Sequence, residues 1–540
     1  MISGSDYDAA LDPRPGRRIV EPGRNCWREA CTTDSGVLID AEDYYRAFHA
    51  SARAARHYIL MSGWQFDSGV QLLRGAEAEG AGEVRFVKFL NGLCEQKPNF
   101  AVYILAWDFH MVLAAEREWM QRVLFHWMTH PRFQFLTDDC PSPGGSHHQK
   151  FIVIDGSHAF LGGMDVCDSR WDDRRHRGAN QLRYSRGRLV KPYHDVQAYL
   201  AGREATATLE DLFEERWICA GGKPLELPAD PGAGATVTRP RGLLPFGPTR
   251  VAFSRTYPVA GEKTIREVEH LFVDAIAAAE RLIYVETQYF SSRRVYEALV
   301  ARMQSADRHK LELVVVVNER AEALKEELAV GLRQAENLQG LRQVAAETGH
   351  SLGLYFSLCD GPTNDFRATY IHSKVLAVDD RFLTVGSANF TNRSMGTDSE
   401  LHASWEALGS DPDDRRLTRA IRRVRVSLLA EHGGLAGVTK IRQLVGIGGL
   451  VRRVDALAAA PGARLQVHGP PSPAQETAME IVDPKSLPFD PDTSDEHEAI
   501  DEPVEEAGRR LLQSIGDGVA SLGHRLRRRV RGGLGARGPR

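Results

Sequence analysis

Two short stretches of this chain carry histidine, lysine and aspartate at one spacing. His148, Lys150 and Asp155 lie in Ser-His-His-Gln-Lys-Phe-Ile-Val-Ile-Asp, and His372, Lys374 and Asp379 repeat the order. An imidazole, with an ordinary pKa of about 6.5, can attack, donate a proton or accept one near neutral pH. An ammonium group can hold an oxygen on which negative charge accumulates. Two of each suffice for displacement at an anionic centre. One histidine attacks, the other protonates the leaving oxygen, and the lysines hold the remaining oxygens.

The elements that must position these groups can be read around them. Phe151 to Ile154 and Val375 to Val378 are short apolar, β-branched runs, as expected of buried strands. Side chains alternate along a strand, so each histidine shares a face with its lysine. Each aspartate has the opposite parity and opens a turn. It is expected to anchor backbone rather than touch a substrate. Gly162-Gly163 and Gly386-Ser387 follow a second apolar run in each copy. The two histidines stand 224 positions apart, and the same offset aligns Ser51 to Phe66 with Ala275 to Phe290 without a gap. The chain therefore reads as an internal repeat.

On these motifs the sequence resembles the phospholipase D superfamily, the double-HKD enzymes. Ile283 to Phe290 looks like the segment opening the second half of phosphatidylcholine-type phospholipases D. Gly163-Met164-Asp165, Arg170-Trp171-Asp172 and Tyr193-His194-Asp195-Val196 look like segments that follow the family's first motif. The resemblance covers roughly residues 25 to 435. It implies an α/β fold of two pseudo-symmetric domains, each a mixed sheet flanked by helices, with a shared active site between them.

It also implies a site. His148 would attack phosphorus and form a phosphohistidine, and His372 would serve as acid and base. Lys150, Lys374 and Asn389 would hold phosphoryl oxygens, and Asp155 and Asp379 complete the motifs. Asp195 would orient the first-half histidine and Glu400 the second. Asp165 is the first-half counterpart of Asn389 and, as an anion, cannot donate a hydrogen bond. Gly163 and Ser387 are the remaining supporting positions. His147 and His194 are expected to be structural or at the rim. Trp171 and Tyr289 could line a headgroup pocket, where an aromatic face favours a quaternary ammonium. The implied substrate is a glycerophospholipid at a membrane surface, with water or an alcohol as acceptor. Cardiolipin synthase-like transfer and nucleic-acid cleavage are the alternatives within the superfamily, and a non-catalytic adaptor is disfavoured by two intact motifs.

The bulk numbers suit such a protein. At 540 residues the chain exceeds one ordinary core. The apolar fraction of 42% and charged fraction of 26% are those of a globular chain. A net charge of −4 supplies no field for nucleic acid, and none is expected as a partner. Seven scattered cysteines argue against a disulfide framework and fit a reducing compartment. No Cys-x-x-Cys spacing suggests a metal, and no metal or cofactor is expected. No run reaches the roughly 20 apolar residues that span a bilayer, and residues 1–24 lack the apolar centre of a secretory signal. A cytoplasmic protein, peripheral at the membrane, is the expectation.

The chain divides by composition. Residues 1–24 read as an N-terminal arm, 25–220 as the first phospholipase D-like domain and 221–248 as a Pro/Gly-rich linker. The second domain runs over 249–435 and a connecting segment over 436–470. Residues 471–507 are acidic and expected to be disordered or extended. Residues 508–540 carry an amphipathic stripe with arginines crowded at its end, which can lie on an anionic membrane. Within the first domain Asp40 is expected to cap a helix reaching about Arg56.

Overall fold

The motif strands are hairpins buried on both faces. Phe151–Ile154 pairs antiparallel with His158–Gly162, and Val375–Val378 with Phe382–Gly386. Both hairpins obey the offset of 224 residue for residue. The architecture is that of a computed structural model describing residues 18–107, 125, 129–138, 145–185, 187–228, 238–258, 263–320, 330–361, 367–409, 411–473, 475–476 and 490.

Two mixed sheets carry the fold. In the first, the order is Leu244–Pro245, Asp34–Ile39, Val196–Ala201, His158–Gly162, Phe151–Ile154, Tyr58–Gly63, Ala101–Trp107 and Phe133–Asp138. The second runs Arg28–Thr32, Thr249–Tyr257, Glu400–Glu406, Phe382–Gly386, Val375–Val378, Leu282–Glu286, Glu312–Val316, Ser351–Ser357 and Leu465–Val467, with Ile265–Arg266 paired beside Thr249–Tyr257. In each sheet the strand next to the motif hairpin, Tyr58–Gly63 or Leu282–Glu286, starts a parallel run of three. The fold is thus α/β with mixed sheets flanked by helices, as expected.

Strand alternation sorts the core into layers. Phe151 and Val153 share one apolar cluster with Val375 and Ala377, so the two sheets pack on a common core. Ile152 and Ile154 face the other way, onto Phe48 and Leu90 of helices Asp40–Ala54 and Phe86–Gln96. Leu376 and Val378 do the same against Phe272 and Leu299 of helices Glu267–Ala278 and Arg293–Gln304. Helices Arg203–Cys219 and Pro412–His432 contribute Leu212, Phe213, Ile421 and Val424 to the common core. Burying both faces explains why these strands read as continuous apolar runs rather than alternating ones.

Several local expectations change. Asp40 does not cap its helix. The N-cap is Ile39, without a side-chain hydrogen bond, and Asp40 begins the helix at φ 64° with its carboxylate turned into the interior. The end of the linker, Leu244–Pro245, forms an edge strand of the first sheet. Arg28–Thr32 leaves the first half altogether and pairs with Thr249–Tyr257 in the second sheet. The connecting segment supplies helix Leu450–Ala458 and strand Leu465–Val467, which closes the second sheet's edge. From the acidic segment, Asp490 is buried, its carboxylate accepting from Ser291 Oγ and Arg393 N. Cys219 is disulfide-bonded, which the reading of scattered reduced cysteines did not anticipate. The arm before residue 18 and the 508–540 tail lie outside the described residues. Among the described residues no helix is long and apolar enough to cross a membrane.

Candidate active site

Backbone pairing between the halves builds the site. Tyr193–His194 runs parallel to Tyr370–Ile371, and the His194 carbonyl accepts from the His372 N–H at 2.9 Å. On the other side His147 bridges to Ser399, whose carbonyl accepts from the His148 N–H at 3.1 Å. Each crossing strand delivers the carboxylate beside it to the opposite half. His372 Nδ1 donates to Asp195 Oδ2 at 2.6 Å, and His148 Nδ1 donates to Glu400 Oε2 at 2.9 Å.

This reverses the expected pairing of acid and histidine. Asp195 serves the second-half histidine and Glu400 the first-half one. The reason is geometric: Asp195 follows the segment bridged to Tyr370–Ile371, and Glu400 follows the one bridged to His147. Both acids are fully buried and fixed by further bonds. Glu400 also accepts from Ser387 Oγ at 2.5 Å and Ser394 Oγ at 2.6 Å, and Asp195 accepts from the Val196 N–H at 2.8 Å. At the position of Ser387 the first half has Gly163, where an added Cβ would lie 2.6 Å from an Asp195 oxygen. These two supporting positions therefore touch the carboxylates directly.

The lysines are buried beside the histidines, with each ammonium donating to the carbonyl of its own motif histidine. Lys374 also donates to Gln288 Oε1 at 3.2 Å, and Lys150 lies 3.6 Å from Asp165 Oδ2. Burial lowers Lys374 to about 7, with Asp195 opposing that shift and Lys150 adding to it. Burial also lowers His372 well below its ordinary value, reinforced by the positive charges of Lys374, Arg170 and Lys150. Burial raises Asp195 to about 7 against the pull of Lys374. Burial leads all three shifts, and the positive charges of Lys374, Arg170 and Lys150 converge on His372.

Asn389 and Asp165 differ as their chemistry requires. Asn389 Nδ2 donates to Gln288 Oε1 at 3.4 Å, while Asp165 Oδ1 accepts from the Trp64 N–H at 2.8 Å. Asp155 and Asp379 are not in the centre. Asp155 accepts from the N–H groups of Arg56, His57 and Tyr58 at 2.6–2.9 Å, and Asp379 from those of Glu280, Arg281 and Leu282 at 2.7–2.8 Å. Both adopt positive φ, 47° and 53°, at the turn after the strand. Each pins the approach to the neighbouring strand, so their place in the motif is structural.

His147 is fully buried against Ser62 Oγ at 2.8 Å, and His194 is buried in a network behind the site. Trp171 is buried, with the Arg74 guanidinium 4.8 Å over its ring. Tyr289 is half-buried, its hydroxyl 3.3 Å from that of Tyr370. Two contributors carried no role in the sequence reading. Gln288 bridges Lys374 and Asn389, and Arg170 packs on Tyr193 and bears on His372. Both lie in the segments that carried the resemblance, which was the available signal.

The chain is similar to several known proteins. A family model described as "Cardiolipin synthase, PLD-like domain" matches residues 272–408. Phospholipase D alpha 4 of Arabidopsis thaliana is 23% identical, over 80% of this chain and 66% of its own length. Phospholipase D alpha 1 of Nicotiana tabacum is also 23% identical, over 79% and 66%. The chain therefore spans just under two thirds of the length of these relatives. Phosphatidylserine synthase of Haemophilus influenzae Rd KW20 superimposes with a TM-score of 0.49 at 11% identity, over 79% of this chain and 96% of that one.

Proposed function

The chain belongs to the phospholipase D superfamily of phosphodiester-acting enzymes, and from that premise we propose that it cleaves glycerophospholipids to phosphatidic acid and a free headgroup alcohol. The observation that carries the reading is the crossed pair of histidine–carboxylate couples, His148–Glu400 and His372–Asp195, with two buried lysines between them. In the proposed route His148 Nε2 attacks phosphorus, while Glu400 accepts the Nδ1–H hydrogen bond and offsets the positive charge that the ring gains. His372, protonated once the phosphodiester anion sits beside it and offsets the surrounding positive charge, gives a proton to the leaving headgroup oxygen. Lys150, Lys374 and Asn389 hold the phosphoryl oxygens as charge accumulates. His372 then takes a proton from water or an alcohol, whose oxygen displaces His148 from phosphorus. The lipid is met at a membrane surface, and headgroup identity is left to the pocket rim.

A second reading, transfer of the phosphatidyl group to a lipid alcohol, is supported by the description of the family model that matches residues 272–408. Both readings share the phosphatidyl-enzyme and differ in the acceptor. The test is product analysis with labelled phosphatidylcholine and phosphatidylethanolamine across an ethanol titration, with phosphatidylglycerol as a competing acceptor. Phosphatidic acid giving way to phosphatidylethanol is the expected result. Cardiolipin as the main product would favour the second reading. Cleavage of a nucleic acid without release of any headgroup would overturn both.

A further inference from the structure

Behind the catalytic pair lies a second group of side chains that the proposed reaction does not use. Asp40, His176, His194 and Glu431 are all buried, and one donor atom from each lies within 4.8 Å of the others. They come from the start of helix Asp40–Ala54, a loop, the Tyr193–His194 strand and the end of helix Pro412–His432. No local spacing joins them, so no metal-ligand pattern links them along the chain.

We propose that these four side chains bind one divalent first-row transition ion, with zinc the leading candidate, as a structural clamp between the two halves.

The distances suit an ion. His194 Nδ1 lies 3.0 Å from Asp40 Oδ1 and 2.9 Å from Glu431 Oε1. His176 Nε2 lies 3.0 Å from Glu431 Oε1 and 3.4 Å from Asp40 Oδ2. Ligand bonds of about 2.0–2.1 Å in a tetrahedron hold donor atoms about 3.3 Å apart. Two imidazole nitrogens and two carboxylate oxygens form a donor set that zinc accepts.

The outer contacts suit it as well. His176 donates its other nitrogen, Nδ1, to Asp172 Oδ2 at 2.9 Å, and His194 donates Nε2 to Glu286 Oε2 at 3.1 Å. A carboxylate on the far nitrogen is the usual way a metal-bound imidazole is oriented. An independent sign is Asp40 Oδ2, which is buried and accepts no hydrogen bond although it faces the group. Charge balances too. Without a metal, each near nitrogen must carry a proton to face its carboxylates. A divalent ion replaces those two protons and leaves the net charge of the cluster unchanged.

The clamp would act on the catalytic pair mechanically. His194 precedes Asp195 and its carbonyl receives the His372 N–H, so fixing its ring fixes both partners. The ion would touch no substrate.

The test is metal content of the full chain, purified without a polyhistidine tag or chelator. About one transition-metal ion per chain is expected, with X-ray absorption showing only nitrogen and oxygen ligands at about 2.0–2.1 Å. Glu431→Gln and His176→Gln should each reduce the content at least fivefold. Stripping the wild-type protein with a strong chelator should lower Tm by about 5 °C or more, and zinc should restore it. If the variants fail to fold, the wild-type absorption spectrum and the chelator series decide alone. Fewer than about 0.1 ions per chain after zinc supplementation, or a sulfur-dominated spectrum, would overturn the proposal. So would a Tm indifferent to chelator and zinc, and the cluster would then be a network of protonated histidines.

Discussion

His372 and Asp195 stand 177 positions apart in the chain and 2.6 Å apart in the fold. The matching pair, His148 and Glu400, is separated by 252 positions and 2.9 Å. Each acid therefore acts on the histidine of the other repeat. Asp195→Asn and Glu400→Gln are expected to lower kcat roughly 10²- to 10⁴-fold by freeing the ring and its tautomer. In spectra of ¹⁵N-histidine-labelled protein, Asp195→Asn should perturb the His372 ring and leave the His148 ring in place. Glu400→Gln should do the reverse. Perturbation of the same-repeat histidine instead would refute the crossing.

His148→Ala and His372→Ala should each reduce turnover by at least about 10³-fold. The two losses differ in kind under the proposed route. His372→Ala, supplied with a lipid bearing a good leaving group, should accumulate a phosphatidyl adduct on His148. Peptide mapping of quenched protein reads this directly. An adduct on His372 in the His148→Ala protein would exchange the two roles.

Lys374 sets a pH dependence. Its pKa is lowered to about 7 by burial, so in the free protein it loses its charge as pH rises through that value. The ammonium is the form that holds phosphate. With a short-chain phosphatidylcholine, whose phosphodiester does not titrate in this range, kcat/KM should therefore fall on the alkaline side of about 7. Lys374→Arg, which does not titrate in this range, should move that fall upward even if its maximum rate is lower. An unchanged alkaline limb would remove Lys374 from the profile.

Gly163 meets Asp195 so closely that no side chain fits. Gly163→Ala should displace the Asp195 carboxylate and lower kcat about 10- to 100-fold, with little change in Tm. Crystallography of the variant should find the Asp195–His372 bond lengthened. Wild-type activity would mean the backbone yields there without consequence.

Asp155 and Asp379 should behave differently from the other motif residues. Removing a carboxylate that accepts three backbone N–H groups is expected to cost about 2–5 kcal/mol of stability. Denaturant titration of Asp379→Ala should find this loss, while kcat at a temperature where the variant is folded stays within about threefold. A large kcat defect in a stable variant would return Asp379 to the chemistry.

Much of this was legible because it is local. Parity along Phe151–Ile154 placed His148 and Lys150 together and turned Asp155 away, and the offset of 224 carried the same logic to the second repeat. The motif strands and the second apolar run after each were legible as local apolar patterns. What was not legible depends on contacts between distant segments. Asp40 has the residue type of a helix cap, but its backbone turns left-handed and its carboxylate meets His194. Asp195 and Glu400 were recognised as the acids, yet nothing in their own segments says which histidine each will meet. That is decided by two short backbone bridges between the repeats, at Tyr193–His194 and at His147.

The crossing has a consequence for symmetry. Either repeat alone would hold a histidine and an acid aimed away from each other. Two copies about a two-fold axis satisfy both pairs at once, which is the geometry of a self-complementary dimer. Identical subunits would be obliged to give both histidines identical surroundings. A single chain carrying both copies is not. Here one copy has Gly163 and Asp165 where the other has Ser387 and Asn389, and the His148 side chain is 18% exposed where that of His372 is 8%. Joining the copies with a linker, and lacing Arg28–Thr32 into the opposite sheet, permits two equivalent histidines to become specialists.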